Sequence, residues 1–143
     1  MESKGKALIT LLMAWFVASV ATFGSLFLSE VMKYPPCTLC WYQRICMYPL
    51  MLIFLVGLFP VSKMVVKFSL PLVILGMAIS FYHNLLYYHI LPESASPCSE
   101  GISCTTVFIE WFGFITIPLL SFSAFLLILI LLVSTRWILK NEK

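Results

Sequence analysis

The stretch FGFITIPLLSFSAFLLILILLV, residues 112–133, carries no charged side chain, and its reading decides the fold. A helix needs about 20 apolar residues to cross the hydrocarbon core of a bilayer, and this run supplies them. Backbone groups in lipid must pair within their own segment, so a run of this length is a helix. A barrel strand would alternate in polarity and would be about half as long. Working back towards the N-terminus, three further runs of spanning length appear: Ala7 to about Leu28, Trp41 to Phe59 with Pro60 ending it, and about Val65 to Tyr88. The composition agrees, with 62% hydrophobic and only 10% charged residues, against about 25% charged in a globular domain. The expected fold is all-α: a polytopic membrane protein with a four-transmembrane-helix bundle, residues 1–143 forming a single domain. Pro71 and Pro118 are expected in the first turns of their helices, where a missing N–H costs little. The first apolar run is longer than the roughly 7–15 residues of a signal h-region, so it reads as a retained helix.

Orientation follows from the basic residues. Lys4 and Lys6 precede the first span, Lys63 and Lys67 lie between the second and third, and Arg136, Lys140 and Lys143 follow the fourth. Lys33 and Arg44 stand on the other face, beside Glu30, Glu93, Glu100 and Glu110. The excess of Lys and Arg marks the cytoplasmic side, so both termini are expected to be cytoplasmic. Two connections, residues 29–40 and 90–111, then face outward. No basic face interleaved with aromatics and no Gly-rich phosphate loop occurs, which excludes nucleic acid and nucleotides as partners. No acidic or basic residue lies at mid-membrane of a span, which argues against a transporter.

Four of the five cysteines fall in those outer connections: Cys37 and Cys40 in the first, Cys98 and Cys104 in the second. The topology came from basic residues alone, so this grouping is independent of it. Disulfides persist outside the cytoplasm and are rare within it. Cys37-Thr38-Leu39-Cys40 is a C-x-x-C heading the second span, a spacing typical of redox-active pairs. With the helix N-terminus placed at Cys40, the dipole would favour a thiolate there. Arg44 follows by one helical turn on the same face, where its charge would stabilise that thiolate or a reduced cofactor. The competing reading is a structural clip, with Arg44 reaching to lipid phosphate. Cys98 and Cys104, closed around Gly101, read equally as a staple or as a second dithiol that exchanges with the first. A tetrahedral zinc site is conceivable for four cysteines. The compartment and the 57 residues separating the pairs argue against it, and no metal is expected. Cys46 lies inside the second span and reads as packing.

His83 and His89 lie in the outer half of the third span among Tyr82, Tyr87 and Tyr88. Either could relay a proton near the surface, and either could equally be a hydrogen-bonded structural histidine. Trp41, Tyr42 and Trp111 read as interfacial anchors, and Glu110 as solvated.

The stretch PPCTLCWYQR, residues 35–44, resembles the DsbB family of disulfide bond formation proteins. Four spans, both ends inside, a C-x-x-C in the first outer loop and a cysteine pair in the second match that family's plan over roughly residues 7–135. The short chain and compact second pair look closest to its BdbC branch. The resemblance implies a thiol:quinone oxidoreductase with redox disulfides Cys37–Cys40 and Cys98–Cys104. By that likeness, a reduced extracytoplasmic thioredoxin-fold partner (DsbA/BdbD-like) would attack Cys98. Cys104 would then turn on Cys37, releasing Cys40 towards a quinone, menaquinone or ubiquinone. Arg44 would hold a quinone oxygen, and either His83 or His89 would belong to the same site. In the family's best-known branch the second loop is much longer, so a local exchange is expected here. Two other readings stand beside this one. One is a non-enzymatic membrane assembly subunit with two structural loop disulfides. The other is a vitamin K epoxide reductase-like quinone reductase, whose active C-x-x-C is expected nearer the chain's end.

Overall fold

The computed structural model describes residues 2–92, 94, 96–98, 103–105 and 116–141. It contains four helices, α1 (Glu2–Glu30), α2 (Thr38–Gly57), α3 (Lys63–Tyr87) and α4 (Ile117–Lys140), and no strand among the described residues. All four are long and apolar enough to cross a membrane. Each packs on its neighbour in chain order, and α4 closes the ring on α1. The helices run alternately up and down, as in bundles with short connections. Thr10 and Thr135 hydroxyls meet at 2.7 Å and join α1 to α4 near the two termini. Towards the opposite end, the Asn84 side-chain amide donates to the Pro118 carbonyl at 2.9 Å and joins α3 to α4. The connections that carry the paired cysteines meet at this second end.

Lipid gives no hydrophobic drive for helix association, so close packing and small residues hold such bundles together. α1 turns Ala7, Leu11, Ala14 and Ala18 inward at alternating spacings of four and three. α3 does the same with Val66, Ser69, Val73, Gly76, Ser80 and His83. The Phe125 ring of α4 lies where a Cβ on Gly76 would stand, so glycine is what lets α3 and α4 approach there. Large apolar side chains such as Phe16, Val20, Phe23, Leu52, Val56 and Ile130 point outward, as a lipid-facing surface requires.

The helices outrun the apolar stretches that predicted them. α1 begins at Glu2 rather than Ala7, and Glu2 pairs with Lys6 at 2.6 Å across one turn. α4 continues to Lys140, beyond the expected Val133. Backbone hydrogen bonding does not stop where hydrocarbon ends, and charged side chains reach to water from the extra turns. α4 starts at Ile117 rather than Phe112, because Thr116 is extended and its side chain caps the Leu119 amide just ahead of Pro118. Pro118 therefore sits in a first turn as expected. Pro71 does not: α3 begins at Lys63, which puts Pro71 in the third turn. Pro49 is likewise interior to α2. Membrane helices tolerate this because packed neighbours compensate the lost bond. Expectations for Glu93, Glu100, Gly101, Glu110, Trp111, residues 112–115 and Lys143 fall outside the described residues.

Candidate functional site

α2 starts three residues earlier than its apolar pattern suggested, and this moves the helix N-terminus off Cys40. Cys37 is the N-cap, with extended backbone, and its sulfur accepts from the Cys40 amide at 3.4 Å. The amide that a helix start leaves unpaired is thus aimed at Cys37 rather than at Cys40. The two sulfurs lie 2.8 Å apart as free thiols. The hydrogen bond from Cys40 holds the Cys37 thiol down at about 4, against the upward push of its burial, and His83 adds to the lowering by hydrogen bond and charge. The cap geometry and the His83 contact thus favour negative charge on Cys37. The expectation of a thiolate at Cys40 is corrected, since the cap sulfur receives the amide.

Cys98 and Cys104 are joined by a disulfide, with Cα atoms 5.9 Å apart. Cys104 is buried and packs with Cys37, Leu39 and Leu86. Donor atoms of Cys37, His83 and Cys104 all lie within 4.8 Å of one another. The long separation in sequence is thus no separation in space, because antiparallel α2 and α3 return the chain to the same end. That removes one argument against a metal here. With the Cys98–Cys104 bond closed, however, Cys104 offers no thiolate ligand.

The two histidines part company. His83 is buried on the inner stripe of α3; its Nε2 lies 3.8 Å from the Cys37 sulfur and 3.2 Å from the Cys104 carbonyl oxygen. Its Nδ1 lies 3.0 Å from the Gln43 side-chain amide nitrogen. His89 follows the end of α3 at φ 54°, is exposed, and lines neither cavity described below. Arg44 is buried to 9% exposure. Its Nε donates to the Ser25 hydroxyl and its Nη2 to the Ser25 carbonyl, each at 2.8 Å, and the guanidinium stands 5.4 Å from the Trp41 ring centroid. No carboxylate pairs with it among the described residues. A buried cation without an anion is costly, so this one is set to receive negative charge.

Two cavities meet at Cys40 and Arg44. The smaller, about 70 Å³, lies at the cysteine end and includes Cys37, His83, Ser103 and Cys104 in its walls. The larger, about 540 Å³, runs between α1, α2 and α4. Phe16, Val20, Phe27 and Leu120 on its walls are exposed, so it opens towards the lipid side. Cys40, Arg44 and Tyr48 succeed one another by single turns of α2 along it. The Tyr48 hydroxyl is buried and has no hydrogen-bond partner among the described residues.

The chain matches the family of the disulfide bond formation protein DsbB over residues 6–135. It belongs to the DsbB family. It is 44% identical over 136 residues to the disulfide bond formation protein C of Bacillus subtilis, covering 95% of this chain and 96% of that protein. Identity is 46% over 120 residues with the Bacillus anthracis protein named probable disulfide formation protein C 2, covering 83% and 84%. With the probable disulfide formation protein of Metapseudomonas resinovorans it is 39% over 127 residues, 88% of each chain. No solved structure matches. The family assigns the chain a redox role in disulfide bond formation, carried out by a multi-pass membrane protein, and the resemblance seen in residues 35–44 holds across nearly the whole chain.

Gln43, Ser25 and Tyr48 were not foreseen. Gln43 and Tyr48 carried a usable signal, since Tyr48 extends the line Cys40–Arg44 by one more turn and Gln43 falls on the buried face with Leu39, Cys46 and Leu50. Ser25 carried none, because its contact depends on how α1 lies against α2.

Proposed function

We propose that this protein reoxidises an extracytoplasmic thioredoxin-fold dithiol protein and passes the electrons through its two cysteine pairs to a membrane quinone. The observation that carries this reading is the convergence of Cys37, His83 and Cys104 within 4.8 Å. Disulfides move by thiolate attack through mixed disulfides, so the two pairs must be able to touch. A reduced partner attacks Cys98 of the Cys98–Cys104 bond, and the sulfur freed is Cys104. Cys104 then attacks Cys37, which forms a Cys37–Cys104 bond and releases Cys40. Cys98, once its partner has left oxidised, closes again on Cys104, and Cys37 departs as a thiolate. The electron pair then rests on Cys37 and Cys40.

The residues around the larger cavity suit a quinone. Its walls are mainly apolar, its volume lies within the usual range for small-molecule sites, and it opens where a lipid-soluble molecule would arrive. Arg44 and the unpaired Tyr48 hydroxyl lie one turn apart, about 5.4 Å along the helix, and would bind oxygens on a flat ring. A quinone bound there supplies an acceptor for two electrons and two protons. Cys40 brings sulfur to the cavity, and Ser25 fixes the guanidinium of Arg44. His83 is assigned instead to the sulfur junction, and His89 to neither cavity.

The site end is taken to face outward, because Lys4, Lys6, Lys63, Lys67, Arg136 and Lys140 lie at the opposite end and mark the cytoplasmic side. The test is quinone reduction by a reduced thioredoxin-fold protein, followed by absorbance. Cys37→Ser and Cys40→Ser should each abolish it; turnover at the native rate in either would end the proposal.

A further inference from the structure

Cys37 is the sulfur that both pairs use in the relay, and the ring of His83 lies against it. The proton on that ring can be placed. Nε2 lies 3.2 Å from the Cys104 carbonyl oxygen, which can only accept, so Nε2 carries hydrogen. The same N–H points a second interaction at the Cys37 sulfur, 3.8 Å away. Gln43, on Nδ1, holds the ring from its other side. His83 is only 2% exposed, so water does not compete for either contact.

We propose that the Nε2–H of His83 stabilises negative charge on Cys37 and thereby makes Cys37 the better leaving group when the Cys37–Cys104 bond is opened. This rests on the relay described above and assigns the step that drives it forward. In that step the Cys98 thiolate attacks the Cys104 sulfur. The Cys98–Cys104 bond forms, the Cys37–Cys104 bond breaks, and its electron pair leaves on Cys37. The second pair ends oxidised and the α2 pair reduced by two electrons, with no proton transfer required. A leaving sulfur of lower basicity departs faster, so a donor on Cys37 favours passage towards α2 over return to Cys104. The bond to the Cys104 carbonyl also holds the second connection in place for the exchange.

Among the described residues, the groups facing Cys37 are few. Cys40 and Arg44 come from α2, His83 and Tyr87 from α3, Tyr34 from the first connection and Cys104 from the second. α1 contributes Ser25, while α4 contributes Ile117 and Pro118, none of which titrates. The Cys37 thiol is held at about 4, by Cys40 first and by His83 next, against its burial. Its charged form is thus present above that pH and is lost as pH falls through it.

The experiment uses the full chain in detergent or nanodiscs with Cys40→Ser and Cys46→Ser, which leaves Cys37 the lone free thiol beside the closed Cys98–Cys104 bond. Its iodoacetamide reaction rate is followed against pH. The midpoint should lie well below the about 8.5 of an ordinary thiol. Adding His83→Ala should raise it by about one to two units, the worth of one hydrogen bond to a charge. His83→Gln, whose amide can still donate, should recover part of the shift. Gln43→Leu, which leaves the imidazole but loosens it, should give a smaller rise. A midpoint that neither His83→Ala nor Gln43→Leu moves would overturn the proposal. In the chain with all five cysteines, turnover in the presence of His83→Ala should let Cys37–Cys104-linked protein accumulate, seen by mass spectrometry of unreduced peptides. These two readouts separate the claims: the pH midpoint needs neither partner nor quinone. A shifted midpoint with no linked species in any variant would overturn the relay and the leaving-group role with it.

Discussion

The two cavities that share Cys40 and Arg44 are built from different materials. The small one at the cysteine end is walled by sulfur, imidazole and turns of the connections, and its imidazole is satisfied on both sides: His83 meets Cys37 and Cys104 at Nε2 and Gln43, from the wall of the larger cavity, at Nδ1. The large one is walled mainly by phenylalanine, valine and leucine, and two of its polar groups, Arg44 and Tyr48, keep capacity for a further partner. Among the described residues Arg44 has no carboxylate partner and the Tyr48 hydroxyl has no hydrogen-bond partner. A satisfied network fixes a geometry, as thiol exchange between fixed sulfurs needs. Unsatisfied buried groups are costly in isolation and are retained where a ligand completes them. Under the proposed function the contrast would divide the labour: protein thiols on one side of the Cys37–Cys40 pair, a lipid-borne acceptor on the other.

That division can be broken one half at a time. The largest effect is expected from Cys104→Ser. It should abolish turnover driven by a reduced thioredoxin-fold protein while reduction by a small dithiol such as dithiothreitol persists, because Cys37 and Cys40 remain. Equal loss with both reductants would mean the halves are not separable. Next is Arg44→Met, which removes a charged hydrogen-bond donor worth roughly 1.5–3 kcal/mol. Quinone affinity, read by titration of the purified protein, should fall by roughly ten- to a hundredfold. Tyr48→Phe removes a neutral donor of about 1 kcal/mol and should weaken the same affinity roughly fivefold. An unchanged affinity would exclude the phenol from the site. The smallest functional effect belongs to Gly76→Ala, at a position that lines neither cavity. The added methyl meets the Phe125 ring, and overpacking of this kind costs about 1–3 kcal/mol, to be read from a denaturant midpoint with quinone affinity as the control.

Much of this was legible in the chain. Residues 112–133 and their three counterparts announced the spans, and basic residues at one end placed all four loop cysteines at the other. Arg44 was read from its one-turn spacing after Cys40. Hydropathy measures lipid contact rather than hydrogen bonding, so it missed the extra turns at Glu2, Thr38 and Lys140. The turn at Thr38 mattered most, for it moved the cap from Cys40 to Cys37 and with it the amide that favours a thiolate. The choice between His83 and His89 was also available. Residues 69, 73, 76, 80, 83 and 86 recur at spacings of four and three, so His83 falls on that buried stripe while His89 lies beyond the helix. Helical phase decides such cases better than proximity to an aromatic belt. The Arg44–Ser25 contact and the meeting of Cys37 with Cys104 needed the packing of separate helices, which no local pattern encodes.

Proximity of Cys37 to Cys104 is what the electron route requires, and it can be tested with those two sulfurs alone. In a chain carrying Cys40→Ser and Cys98→Ser, each keeps the other as its nearest thiol. Mild oxidation should join them, giving a single linked peptide pair by mass spectrometry under non-reducing conditions. If both sulfurs instead stayed free and alkylatable after oxidation, the two pairs would not meet in the folded protein, and the route from one to the other would be contradicted.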